Sequence, residues 1–151
     1  MERTDRYPFE IALVYKEDED YKIEKVYAVK VGDYYQLKAI PAFASNVAYD
    51  DLISVVEEDG TLFFEDMVKP SGHSVLHLYI FKAEHSSVIF SKLASYGLGI
   101  NYLHNNLYLA IDVPVNVPYG EIRSYLISER EKGTFDFEES CLSDEHRSLV
   151  S

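Results

Sequence analysis

The constraint that most limits the fold lies in the second half of the chain, where hydrophobic period switches back and forth between strand and helix. Residues 75–81 alternate as a strand, and residues 86–96 then carry Val88, Ile89, Leu93 and Tyr96 at helical spacing, with Gly97 and Gly99 as a stop. Residues 100–103 and 107–113 flank His104, Asn105 and Asn106 as a hairpin. Residues 119–132 place Ile122, Tyr125, Leu126 and Glu129 on a helix that Gly133 ends, and residues 134–138 close as a strand. Strand, helix, strand, strand, helix, strand is the order of the split βαβ, or ferredoxin-like, unit. Right-handed crossovers put both helices on one face of its antiparallel sheet, so the other face needs a cover.

The first half has no helical period. Short alternating runs at 9–15, 23–31, 34–40, 52–57 and 62–68 are separated by turn signals at Asp18-Glu19-Asp20, Gly32-Asp33 and Glu58-Asp59-Gly60. Most of the 13 Tyr and 8 Phe sit in such alternating or β-branched stretches, where a pleated surface holds them. Five short strands are too few for a sandwich and favour a small barrel or a curled sheet. The expected class is therefore α+β, with a β-barrel or curled antiparallel sheet over 1–70, a ferredoxin-like βαββαβ half over 71–140, and a frayed polar tail over 141–151.

Charge narrows the partners. The 14 Lys and Arg against 26 Asp and Glu leave a net charge of -12, which excludes nucleic acid and an anionic membrane surface as direct partners. Cys141 is the single cysteine, so no intramolecular disulfide and no cysteine-rich zinc site can form, which fits a reducing compartment. The charged start Met1-Glu2-Arg3-Thr4-Asp5-Arg6 lacks the pattern of a secretory signal. Apolar runs fall short of the roughly 20 residues of a membrane span. A cytoplasmic protein is expected.

Catalytic signals are sparse. Ser71-Gly72-His73-Ser74 joins a hydroxyl, a flexible glycine and an imidazole, but a nucleophile elbow needs Gly-x-Ser-x-Gly between strand and helix. The segment reads as a turn that starts a strand, and Ser71, His73 and Asp112 form the one nucleus an enzyme would have. His73, His77, His85, His104 and His146 show no metal-ligand spacing, even with Asp112 or Glu84 added. Adjacent carboxylates at Asp50-Asp51, Glu65-Asp66 and Glu138-Glu139 point to opposite faces if on strands. No catalytic residue, metal or cofactor is expected.

Taken together, the acidic residues describe a surface rather than a pocket. Glu17, Asp18, Glu19, Asp20 and Tyr21, then Tyr49, Asp50 and Asp51, and Glu57, Glu58 and Asp59 set carboxylates in turns, with aromatic rings beside the first two groups. Such a set suits a basic protein partner, and equally keeps a small domain soluble. The charge is uneven: residues 1–70 carry 8 basic and 16 acidic side chains, residues 71–151 carry 6 and 10.

Several segments carry a family likeness. Ile40-Pro41-Ala42-Phe43, Asn46-Val47-Ala48-Tyr49-Asp50-Asp51, Val68-Lys69-Pro70-Ser71-Gly72-His73-Ser74 and Ala110-Ile111-Asp112-Val113-Pro114, with Tyr119, Leu126, Glu129 and Phe137-Glu138-Glu139, resemble the bacterial domain-of-unknown-function family 4265. At Asp50 the family pattern has glycine, a departure inside a turn. The resemblance implies bacterial origin and no activity. By analogy, an acidic, aromatic-rich protein without a catalytic motif resembles the immunity proteins that block a basic toxin domain, often a nuclease. That is the expected function, with a small-ligand module using the sheet face or the seam between the halves as the alternative.

Overall fold

The computed structural model describes residues 9–103 and 105–148; the charged start, His104 of the hairpin turn and the last three residues lie outside them. The first half is a closed barrel of β1 (Phe9–Glu17), β2 (Asp20–Val31), β3 (Tyr34–Leu37), β4 (Leu52–Glu58) and β5 (Thr61–Lys69). Neighbours run antiparallel except at the closing seam, where β1 and β5 pair in parallel through Ile11↔Leu62 and Ala12↔Phe63. Asp59 and Gly60 both take positive φ (52° and 84°), the geometry a two-residue hairpin with native twist needs. Ile11, Leu13, Val26, Ala28, Leu37 and Ile53 fill the interior.

β3 stops at Leu37 rather than running on to residue 40. Lys38 turns its backbone N–H to the Tyr27 carbonyl, and Leu37 takes its last bonds from the returning chain, with Leu37 N donating to Asp51 O and Asp50 N to Leu37 O. Residues 38–51 are thereby released as a loop that leaves the barrel.

The second half is the ferredoxin-like unit. It comprises β6 (Ser74–Ile80), a 3₁₀ turn (Ala83–His85), α1 (Ser86–Ser95), β7 (Gly99–Leu103), β8 (Tyr108–Val113), α2 (Gly120–Glu131) and β9 (Phe135–Cys141). The sheet order is β7-β8-β6-β9, all antiparallel. Leu76, Leu78, Ile80, Leu109, Ile111, Val113 and Phe135 meet Ile89 and Leu93 of α1 and Ile122 and Leu126 of α2 in one core.

The opposite face carries His77, Tyr79, Tyr108, Ala110, Asp112, Asp136, Glu138 and Ser140, by the two-residue alternation of the same strands. The barrel's loop supplies its cover. Pro41 O accepts from His77 Nε2 (2.9 Å), Ala42 O from the Tyr108 hydroxyl (2.6 Å), and Ser140 O from Asn46 N (2.9 Å). Glu24 of β2 holds that loop in shape, its carboxylate accepting from the backbone N–H groups of Ala42 (2.5 Å), Phe43 (2.9 Å) and Ala44 (3.0 Å).

Over residues 141–148 the structure is ordered where the sequence predicts a frayed tail; residues 149–151 lie outside the described ones. β9 runs to Cys141, and α3 (Asp144–Ser148) docks through His146, which is fully buried. His146 Nε2 donates to Pro114 O (2.9 Å), so its Nδ1 accepts from the Ser74 hydroxyl (2.6 Å). One buried imidazole with both nitrogens satisfied fixes a segment whose polar composition suggests none.

Candidate functional site

The polar residues of the sequence motifs meet where the barrel loop, the 69–73 connection and β8 come together. Asp51 is buried and accepts from Ala48 N and Ser71 N, each at 2.8 Å. Burial pushes its carboxyl above the usual carboxylate range, against the pull of those two bonds. The Ser71 hydroxyl donates to Tyr49 O (2.7 Å) and accepts from His73 N (3.1 Å).

His73 sits between two carboxylates. Its Nδ1 lies 2.7 Å from Asp112 Oδ1, and its Nε2 lies 4.0 Å from Asp50 Oδ2. Asp50 also pairs with Lys38 at 2.7 Å, and the Tyr49 ring stands edge-on to the imidazole. Burial raises the Asp112 carboxyl, with His73 opposing.

Two backbone positions hold this arrangement. Gly72 takes φ 97°, and a Cβ there would lie 3.1 Å from both methyls of Val115. Asp50 takes φ 70°, the left-handed region that favours glycine and in which Asp is tolerated.

Chemically, the seam resembles a joint more than a reaction centre. The Ser71 hydroxyl contacts the His73 backbone, not its ring, and gives its proton to Tyr49 O, whereas a hydrolytic pair needs it at a ring nitrogen. His77 donates through Nε2 to Pro41 O, and its Nδ1 accepts from the Ser140 hydroxyl (2.6 Å). Burial pushes the Cys141 thiol up to about 11, which keeps it protonated and unreactive at neutral pH. Among the described residues no three His, Cys, Asp or Glu side chains are placed to hold a metal ion.

The expected acidic surface divides. Glu17, Asp18, Glu19, Asp20 and Tyr21 are exposed at the β1–β2 hairpin, and Glu57, Glu58 and Asp59 are exposed at the β4–β5 hairpin. The parallel pairing of Ile11 with Leu62 sets these tips at opposite ends of the barrel. Tyr49 and Asp50 are half-buried and engaged at the seam, and Asp51 is an internal hydrogen-bond acceptor. Sequence reasoning missed the Glu24 cradle and the row Asp136, Tyr79, Tyr108, in which Tyr108 is buried and the other two are exposed. The alternation of residues 75–81, which places His77 and Tyr79 on one face, was the signal for the second.

A family model, "Domain of unknown function (DUF4265)", matches residues 24–137. The chain belongs to this family. A solved structure described as a novel crystal structure of a hypothetical protein from Neisseria gonorrhoeae is similar to it with TM-score 0.79 and 21% identity, over 89% of this chain and 95% of that one. At that identity the likeness shows a shared fold. No curated protein matches the chain. Among the described residues no helix is long and apolar enough to cross a membrane.

Proposed function

We propose that this member of the family is a binding protein rather than an enzyme, one that captures a basic protein partner in the cytoplasm. Its most concrete form is an immunity protein that covers the active surface of a cationic toxin domain. The observation that carries the reading is how the polar groups are spent. Ser71, Asp51, Asp112, His77 and His146 satisfy one another or backbone groups at the joint between the halves, while the carboxylates at the Glu17–Asp20 hairpin stand in solvent. Exposed carboxylates in excess over cations steer a basic partner and speed its capture.

The test is co-purification with the product of the adjacent upstream gene. A basic partner held with nanomolar affinity, weakening between 50 and 500 mM salt (roughly the span over which the Debye length shortens about threefold), supports the reading. Failure to bind that product and any other basic protein refutes it.

One observation favours a second reading, a small polar ligand at the seam. Open grooves of about 630 Å³ and about 440 Å³ meet at His73, the first walled also by Asp51, Cys141 and Arg147 and the second by Gln36, Asp50 and Ser71. A metabolite screen that shifts the His73 ring resonances in a saturable way would favour it over protein capture.

A further inference from the structure

Among the described residues, the sheet face that the barrel loop covers is not covered to its end. Across the strands, Asp136 of β9 stands opposite Tyr79 of β6, which stands opposite Tyr108 of β8. One pair further along, Glu138 stands opposite His77. The loop stops at this boundary. Phe43 stacks on Tyr108 with ring centres 5.7 Å apart, Tyr15 stacks on Phe43 at 5.5 Å, and Tyr79 lies 4.8 Å from Tyr108 on the uncovered side.

A recess of about 330 Å³ results, walled by Tyr79, Tyr108 and Phe137 with Asp136 and Glu138 at its rim. Tyr79 is 57% exposed, an uncommon degree for an aromatic at the centre of a sheet. Among the described residues neither Asp136 nor Glu138 pairs with a Lys or Arg. The Tyr108 phenol is held well above its ordinary range, by burial first and then by Tyr79, Glu138 and Glu24.

We propose that this recess is the anchor point for a basic partner, taking one arginine or lysine side chain over the exposed Tyr79 ring with its charged end between Asp136 and Glu138. The proposal rests on the basic-partner reading and locates it on the sheet face rather than on the barrel hairpins. The chemistry is complementary on both counts, because ring faces attract a cation and the two carboxylates accept its N–H groups. The shape suits a flat guanidinium better than an ammonium, since its plane stacks on a tyrosine while its edge meets a carboxylate. The rigid row also lowers the ordering cost of binding, because Tyr108 is pinned by its hydroxyl to Ala42 O and clamped by Phe43.

The test uses the full chain and a fluorescein-labelled peptide of alternating arginine and glycine, followed by fluorescence anisotropy and by amide NMR shifts. The expected result is saturable binding with shifts concentrated at residues 79, 108 and 136–138. Tyr79→Ala and the double variant Asp136→Asn/Glu138→Gln each weaken it about tenfold, and Tyr79→Phe leaves it within about twofold. The control removes the same charge elsewhere, in Glu17→Gln/Glu19→Gln, and costs less than about threefold. Equal losses from both double variants overturn the recess as anchor while leaving the basic-partner reading in place. No saturable binding at 50 mM salt overturns the recess, and the wider reading then rests on the co-purification alone. All substituted side chains except Tyr79 are exposed carboxylates, and an unchanged thermal melt for each variant confirms that it is folded.

Discussion

Asp51 is the residue whose role differs most from the one its sequence context proposes, and its replacement gives the most direct test of the seam as a joint. The carboxylate is 2% exposed and accepts two backbone N–H groups at 2.8 Å, from Ala48 and Ser71, one on each side of the junction between barrel loop and β6. Asp51→Ala strands both donors, at about 1–3 kcal/mol each where water does not replace the carboxylate. Removing a carboxylate that burial already penalises returns part of this, so the net loss is about 3 kcal/mol. In a domain of this size that lowers Tm by roughly 6–12 °C. Asp51→Asn keeps one acceptor and turns the other into a donor facing an N–H, for about half the effect.

The pH dependence carries its own sign. Burial raises the Asp51 pKa in the fold, so its proton-linked stability is fully present below about 3.8, the unfolded value, and is lost as pH rises through the folded value. The stability gap between wild type and Asp51→Asn therefore widens on acidification from pH 7 toward pH 4. Urea unfolding of the three proteins at pH 4, 5.5 and 7 measures it. An Asp51→Ala protein within about 0.5 kcal/mol of wild type would mean that the two N–H groups find water, and the joint would lose its central acceptor.

Three further outcomes follow from the same geometry. Gly72→Ala puts a Cβ 3.1 Å from the Val115 methyls at a φ of 97°, and a drop of at least about 2 kcal/mol in thermal or urea unfolding is expected; an unchanged melt refutes the crowding. His146→Ala removes the imidazole bonds to the Ser74 hydroxyl and the Pro114 carbonyl, which keep Ser143 and Val117 N as partners, and empties a fully buried side-chain site; it costs about 2–4 kcal/mol, with hydrogen exchange speeding first in α3 and at the start of β6. Cys141, with its thiol at about 11, reacts with a disulfide reagent at pH 8 at least tenfold more slowly than free cysteine, and a rate equal to that of free cysteine would show the burial to be wrong.

What the sequence made legible was what local physics decides. Period-two alternation in residues 23–31 and the Asp59-Gly60 pair are sufficient for a strand and a hairpin, because a pleated half-buried surface and a doubly positive φ leave little choice. The helix periods of α1 and α2 likewise fix which face meets the sheet. The parallel β1–β5 closure is different in kind, since it joins residues about fifty positions apart through two pairs and leaves no composition signal. His73 and Asp112 could be grouped from the sequence as candidate partners, but their contact across 39 residues is set by the fold. Grouping Asp51 with Asp50 as exposed acid was natural for adjacent carboxylates in a turn, yet Asp50 at φ 70° turns the chain so that one side chain meets Lys38 and the next points inward. α3 escaped because five polar residues have no period, and its single buried imidazole is visible only once Ser74 and Pro114 lie beside it.

The residues that carry the family likeness lie almost entirely at the joint. Pro41 and Ala42 cap the sheet face, Ala48, Tyr49 and Asp51 meet Ser71, Gly72 makes the turn, and His73 reaches Asp112. A motif whose donors and acceptors are matched to one another specifies how two halves fit, because each unpaired member would cost more than its bond contributes. It follows that the motif describes how the two halves fit and says nothing of what is bound. The side chains that the joint does not use, and that stand in solvent, are Tyr79, Asp136 and Glu138 at the edge of the covered face and the carboxylates of the two hairpin tips. The recess is the narrower of these commitments, since stacked rings fix a direction of approach that mobile surface carboxylates do not.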